Sequence, residues 1–248
     1  MKTTSNNAIT CSTDYNYVKY LYPFLDSLIK VKTKTDIFVR VVDFTENQLH
    51  EIKSKYKNIN IVVDNPGMSE KKTLLKTNDK VILDNVYKIK NILDIKKVLY
   101  SPRSFYTCHS RFLSINELLN KNYNVLSLDV DTIALKNFDD VFNLKNNIIT
   151  VRSENNDDIF SNEGFLLFKN TKVIKKYISK IVNYIFTENN FTDWNADHYA
   201  LHKFKTNDID VHLLDEKYKD RNHLHDSIMW TGDANNKYKE KFTLHLER

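Results

Sequence analysis

Apolar positions along the chain alternate between two rhythms. Ala8-Ile9-Thr10-Cys11-Ser12 has the apolar density of a short buried strand. After a turn over residues 13–16, Tyr17, Leu21, Phe24, Leu25, Leu28 and Ile29 recur at helical spacing. Ile37, Phe38, Val39, Val41 and Val42 make a second strand within 36–43. Thr45 and Gln48 have the spacing of a capping box, which starts a helix running to about Tyr56. A third strand, 59–63, is stopped by Asp64-Asn65-Pro66-Gly67. This strand–helix alternation predicts a mainly parallel, Rossmann-like sheet flanked by helices, an α/β fold.

Residues 68–100 are lysine-rich with scattered apolar positions, and the pattern assigns them no element. Pro102 opens a helix to about Asn120, with Phe105, Cys108, Phe112, Ile115, Leu118 and Leu119 on its apolar side. Arg111 is a large cation in its middle, read on its own as an exposed or snorkelling arginine. A strand at 123–128 then delivers Asp129 and Asp131 at its C-terminal end, where open α/β sheets bind ligands. Further on, 133–135 and 138–142 form a short connection, and 147–152 and 165–168 are strands. An amphipathic helix covers 172–186, Asp193 caps a helix from Trp194 to about Phe204, and 209–213 alternates as a half-buried strand. No proline-rich or serine-rich linker divides the chain, so it reads as a single domain. A regular half, about 1–132, ends in Asp129-Val130-Asp131, and a more irregular half covers about 133–248.

Composition removes several classes of function. No window holds the roughly 18 consecutive apolar residues of a membrane span, and the polar start, 1–7, has no apolar signal region. Two distant cysteines fit a reduced protein, so the expected compartment is cytoplasmic. Cys11 and Cys108 themselves read as small buried filler. The net charge of +5 comes from lysines spread along the chain, which describes a solvated surface better than a nucleic-acid groove. Zinc-type Cys/His spacing, a phosphate-cradling glycine loop and Gly-x-Ser-x-Gly are all lacking. With only three glycines, Gly67, Gly164 and Gly232, each location carries information.

The candidate chemistry sits in the 126–135 run. Residues i and i+2 of a strand share a face, so Asp129 and Asp131 project side by side. Close carboxylates repel unless a cation lies between them, and hard divalent cations prefer such oxygens. The motif alone is weak: 22 aspartates in 248 residues give about two Asp-x-Asp triplets by chance. The rival triplet, Asp208-Ile209-Asp210, falls to alternation, because it puts both acids on the solvent face of its strand.

Ordered along the chain, these segments resemble the GT-A nucleotide-sugar glycosyltransferases, and within them the retaining galactosyl- and glucosyl-type family that includes glycogenin and bacterial lipopolysaccharide transferases. The residues that carry the resemblance run from about 8 to 240. Ile9-Thr10-Cys11-Ser12-Thr13-Asp14-x-x-Tyr17 looks like the first strand and nucleobase loop, and Arg111 like the donor-contacting arginine. Leu126–Asp131 looks like the Asp-x-Asp strand, and Asn162-Glu163-Gly164 like the Asn-x-Gly turn beside the donor sugar. Asp197-His198-x-Ala200-Leu201 resembles the Asp-Gln-x-Ala-Leu segment. His225 to Lys237, with Gly232, resembles a degraded His-x-x-Gly-x-x-Lys loop.

The resemblance implies a metal-dependent hexosyltransferase of GT-A fold, using Mn²⁺ or Mg²⁺ and a nucleotide diphosphate sugar, UDP-linked, with retention. The acceptor would be a glycan or another hydroxyl compound, and the second half would shape the sugar and acceptor site. Asp129 and Asp131 would hold the metal, with His225 as nearest substitute for a third ligand whose place here is Met229. Thr10, Ser12, Asp14, Tyr17, Arg111, Asp129, Asn162, Gly164, His198, Gly232 and Lys237 would meet the donor. Asp197 would be the catalytic acid residue, as nucleophile or as stabiliser of an oxocarbenium-like state. Two other readings stay open: a nucleotidyltransferase, disfavoured because residues 10–16 contain no glycine, and a catalytically inactive sugar-nucleotide-binding or interaction protein. Integral membrane spans and nucleic acid are not among the expected partners.

Overall fold

The computed structural model describes residues 6–67, 73–74, 99–100, 102–152, 159–160, 164–188 and 196–232. Strand β1 (Asn6–Asp14), a 3₁₀ turn (Tyr15–Tyr17), α1 (Val18–Lys30), β2 (Asp36–Val42), α2 (Glu46–Lys55) and β3 (Asn60–Asp64) follow the predicted alternation. The capping box forms: Thr45 accepts from the Gln48 backbone while the Gln48 side chain accepts from the Thr45 N–H. Thr73–Leu74 (β4) and Leu99–Tyr100 (β5) pair antiparallel. Then come α3 (Pro102–His109), α4 (Arg111–Asn120), β6 (Tyr123–Leu128), β7 (Thr132–Ala134), a 3₁₀ turn (Asp139–Asn143), β8 (Ile148–Val151) and β9 (Phe165–Phe168). The chain continues through α5 (Lys172–Asn183), a π-helical turn (Tyr184–Glu188), α6 (Ala196–Lys203), β10 (Val211–Leu214), a 3₁₀ turn (Glu216–Lys219) and β11 (Met229–Thr231).

Seven strands form one sheet in the order β10-β8-β9-β6-β1-β2-β3. All neighbours are parallel except β9, which runs antiparallel to both β6 and β8. Two apolar layers cover it. Ile9, Cys11, Val39, Leu126 and Leu128 face one way and pack with Leu21, Phe24, Leu25 and Leu28 of α1. Ala8, Val125, Leu166 and Phe168 face the other, against Phe112, Ile115 and Leu119 of α4 and Ile174, Ile178 and Ile181 of α5. The period of two in β6 therefore puts Val125, Ser127 and, one residue past the strand, Asp129 on the α4 side.

Two predicted elements differ in form. The helix expected over 102–120 breaks into α3 and α4 at Ser110. Thr107 donates its hydroxyl back to the Arg103 carbonyl and Ser110 to the Thr107 carbonyl, a pattern that bends helices. The helix expected over 172–186 ends as α-helix at Asn183 and widens into the π-helical turn. Trp194 and its cap Asp193 lie outside the described residues; the helix described there begins at Ala196.

The parallel strands end in acids at one edge: Asp14 closes β1, Asp43 follows β2, Asp64 closes β3 and Asp129 follows β6. Arg103 of α3 approaches Asp14 at 3.9 Å and Asp43 at 3.5 Å. Arg40, buried, meets Asp64 and Glu117, each at 2.6 Å. Arg111 meets Asp129 at 3.1 Å. Three arginines thus neutralise the carboxyl edge, where ligands of such sheets bind.

Candidate active site

The centre of this edge is Arg111, the first residue of α4. Its Nη1 lies 3.1 Å from Oδ1 of Asp129 and its Nη2 2.5 Å from Oδ2 of Asp197. One planar guanidinium thus joins the end of β6 to the start of α6, a fork geometry that lysine lacks. The break at Ser110 puts His109 beside Arg111 in the same pocket. His109 Nδ1 lies 2.8 Å from the Phe105 carbonyl, so that nitrogen carries the proton and donates. Its Nε2 is 3.4 Å from Oδ1 of Asp197.

Asp197 is 4 % exposed. Burial alone would raise its carboxyl, but His109 and Arg111 outweigh it and hold Asp197 far below the usual carboxylate range. Helix α6 is fixed from below: Ala196, Ala200 and Leu201 are fully buried, and the Tyr177 hydroxyl of α5 donates to the Leu201 carbonyl at 2.6 Å. His198, next to Asp197, packs edge-on to His202 with ring centres 5.0 Å apart.

On the other side of Asp129 stands Gly164, whose carbonyl accepts the Asp129 N–H at 3.1 Å. A Cβ there would collide with Oδ2 of Asp129 and with Nζ of Lys219, so the position needs glycine for space. Gly164→Ala is expected to destabilise the fold by about 1–3 kcal/mol, as overpacking does, and to weaken donor binding about tenfold. Chemical denaturation and nucleotide titration of the purified variant test this; an unaltered midpoint and affinity overturn it.

Lys219 arrives by a route that no local pattern shows. Strand β11 pairs antiparallel with β7, just after Asp131, with Met229 opposite Ala134 and Thr231 opposite Thr132. The Gly232 N–H donates to the Asp131 carbonyl at 2.8 Å. The turn ending at Lys219 is laced to β11, with Ile228 N–H on the Lys217 carbonyl at 2.8 Å and Asp220 N–H on the Met229 carbonyl at 3.0 Å. The Lys219 side chain is 7 % exposed, and its Nζ is 3.6 Å from Oδ2 of Asp129. Burial pushes its ammonium down from the ordinary lysine value, with Asp129 opposing.

Asp129 and Asp131 follow the end of β6, and as hard oxygen donors they would suit an ion which takes its remaining ligands from a bound diphosphate and water. Among the described residues a third protein ligand is not gathered with them. Met229 is fully buried in the core, and His225 is exposed. The reason is local: the Asp220 carboxylate accepts from Asn222 N, Leu224 N and the Ser227 hydroxyl, and so shapes a turn of its own around His225. Among the described residues no three His, Cys, Asp or Glu side chains could share an ion.

The residues expected to meet a nucleobase lie at the C-terminal end of β1. Asp14 accepts from the Tyr17 N–H at 3.3 Å, and Tyr17 leaves 45 % of its surface exposed. The hydroxyls of Thr10, Ser12 and Ser127 are buried with no hydrogen-bond partner among the described residues. Asn162 and Lys237 lie outside the described residues. His109, Lys219, Arg103 and Ser127 are the site residues that the sequence pattern did not single out. Cys108, close by, is inert, because burial pushes its thiol up to about 12.

Residues 70–247 match a family described as nucleotide-diphospho-sugar transferase. No curated protein matches the chain. Among solved structures, the galactosyltransferase LgtC in complex with donor and acceptor sugar analogs is similar at a TM-score of 0.60 and 15 % identity, over 96 % of this chain and 94 % of that one. The apo glycosyltransferase GlyE of Streptococcus pneumoniae TIGR4 gives 0.59 and 13 %, over 98 % of this chain and 60 % of its own. The bifunctional glycosyltransferase WbbM gives 0.56 and 11 %, over 98 % and 52 %. The chain therefore spans little more than half the length of GlyE and WbbM.

Proposed function

The chain belongs to the nucleotide-diphospho-sugar transferase family, with a GT-A fold, and on that premise we propose that it moves a hexose from a UDP-sugar to a hydroxyl of a glycan or other acceptor, metal-dependently and with retention. The observation that carries this reading is the Arg111 fork, which joins the Asp-x-Asp strand to Asp197, beside a glycine whose missing Cβ lets Asp129 and Lys219 close against the backbone.

Each residue then has a task. Thr10, Ser12, Asp14 and Tyr17 receive the nucleoside at the end of β1. Arg111 presents fixed positive charge to the diphosphate. Gly164 lets Asp129 and Lys219 sit close to the backbone that enters β9, and the Asp131–Gly232 backbone bond ties the end of β11 to the Asp-x-Asp turn. Asp129 and Asp131 would hold the divalent ion, Mn²⁺ or Mg²⁺, which supplies Lewis-acid neutralisation of the departing diphosphate. Asp197, kept ionised by Arg111 and His109, is a poor nucleophile but a good fixed countercharge for an oxocarbenium-like state. The bond from the anomeric carbon to phosphate breaks, one to the acceptor oxygen forms, and the acceptor proton leaves with the phosphate. UDP as carrier and retention rest on the family resemblance.

A thermal-shift panel of nucleotides with and without Mn²⁺ tests the proposal. Stabilisation by UDP that requires Mn²⁺, with slow release of UDP from a UDP-sugar, is the expected result. Asp131→Ala should lower Mn²⁺-dependent UDP affinity about 100-fold; unchanged affinity sinks the metal assignment. A second reading, a nucleotide-sugar-binding protein without turnover, draws on one observation: buried Met229 stands where the resemblance expects a ligand. Binding without any release of UDP would favour it. Among the described residues no helix is long and apolar enough to cross a membrane.

A further inference from the structure

Lys219 is the least expected member of the site. Its side chain is more than nine-tenths buried, yet its ammonium has no acceptor within hydrogen-bond distance among the described residues. The nearest anion is Oδ2 of Asp129 at 3.6 Å, an ion pair too long to be a hydrogen bond. An ammonium carries three N–H donors, and this one stands at the ligand-binding edge of the sheet with donors open to anionic oxygens. The backbone holds it there rigidly: the turn that carries it is tied to β11, and β11 to β7 immediately after Asp131. Gly164 lets Lys219 Nζ and Asp129 Oδ2 come together against the backbone, since a Cβ would meet both.

We propose that Lys219 is a second fixed cation of the donor site, and that its ammonium binds diphosphate oxygens of the nucleotide sugar beside Asp129 and Gly164. This rests on the donor-site reading above and adds to it a residue that the family resemblance does not supply, since that resemblance assigns the phosphate contact to Lys237. Arg111 and Lys219 approach Asp129 on different oxygens, Oδ1 and Oδ2. A diphosphate seated over Asp129 would therefore find a cation on each side. The acid between the cations keeps them from repelling one another until the ligand arrives.

The test is titration calorimetry of the full chain with UDP and with uridine, each with Mn²⁺ and with a chelator present. Lys219→Met keeps the buried length and removes the charge; Lys219→Arg keeps the charge. With Mn²⁺ present, Lys219→Met should bind UDP at least tenfold more weakly and bind uridine as the parent does, while Lys219→Arg should regain part of the UDP affinity. Equal UDP affinity in Lys219→Met and parent overturns the assignment of Lys219 while leaving the donor site standing. Equal losses for uridine and UDP overturn it too, because they mark a merely structural lysine. A parent protein that binds UDP no more tightly than uridine overturns the donor-site reading itself, and this proposal with it.

Discussion

Replacing Arg111 with methionine should cost the fold about 3–5 kcal/mol and abolish donor binding and transfer together. The stability loss follows from what is left behind. Asp197 is 4 % exposed, and the groups left facing it among the described residues would be His109 Nε2, 3.4 Å away, and the His198 N–H. Asp129, whose side chain is 37 % exposed, would keep Lys219 at 3.6 Å and depend less on the lost partner. Removing one partner of a buried ion pair leaves a desolvated charge, and that penalty exceeds whatever the intact pair contributed. The functional loss follows from geometry. Arg111 fixes the distance between the Asp-x-Asp strand and α6, so its removal frees both acids from their common frame. Arg111→Lys separates the two effects. One ammonium can meet one carboxylate but cannot bridge two in a plane, so about half the lost stability should return while transfer stays at least 10³-fold down. Denaturant midpoints and UDP-release rates for parent, Arg111→Met and Arg111→Lys decide it. Lysine that restores transfer as fully as stability would refute the bridging role.

The fold was readable because most of its signals are local. The period of two in β6, the period of 3.6 in α5 and the Thr45–Gln48 box each lie within a few residues, and all three stand in the structure. Part of the candidate site stood out for the same reason. Asp129 and Asp131 follow an apolar strand, and Arg111 interrupts an apolar helix, so each stands out against its neighbours. Lys219 and His109 had no such contrast. A lysine in a lysine-rich chain carries no signal, and this one reaches Asp129 only through the pairing of β11 with β7, across some 90 residues of sequence. His109 matters because hydroxyl back-bonding breaks the helix at Ser110, a bend that hydrophobic periodicity does not register. The third metal ligand is a different case. The resemblance located the loop, but the Asp220 turn and the burial of Met229 set a local course that leaves His225 in solvent.

Asp197→Asn should lower turnover by about 10²–10³-fold with little change in donor affinity. Asparagine keeps the shape and can still accept the His198 N–H that Asp197 Oδ1 accepts at 2.9 Å. It removes the charge that pairs with Arg111 and that, under the proposed function, faces the reacting sugar. If Asp197 acts through that charge, a slow residual turnover with the same anomeric product remains; if it is a nucleophile, none does. The same substitution has a pH signature. Arg111 and His109 hold the Asp197 carboxyl well below its ordinary range in the folded protein, whereas in the unfolded chain it titrates near about 3.9. A group depressed by folding contributes stability above its unfolded pKa and loses it as pH falls towards the folded one. Parent protein should therefore exceed Asp197→Asn in stability at pH 7, and the gap should narrow once pH drops below about 4. Denaturant midpoints of both proteins at pH 7 and pH 3 measure that gap. A gap that is the same at both would mean that Asp197 is not held as an ion, and the clamp built by Arg111 and His109 would then have no bearing on the chemistry at the sugar.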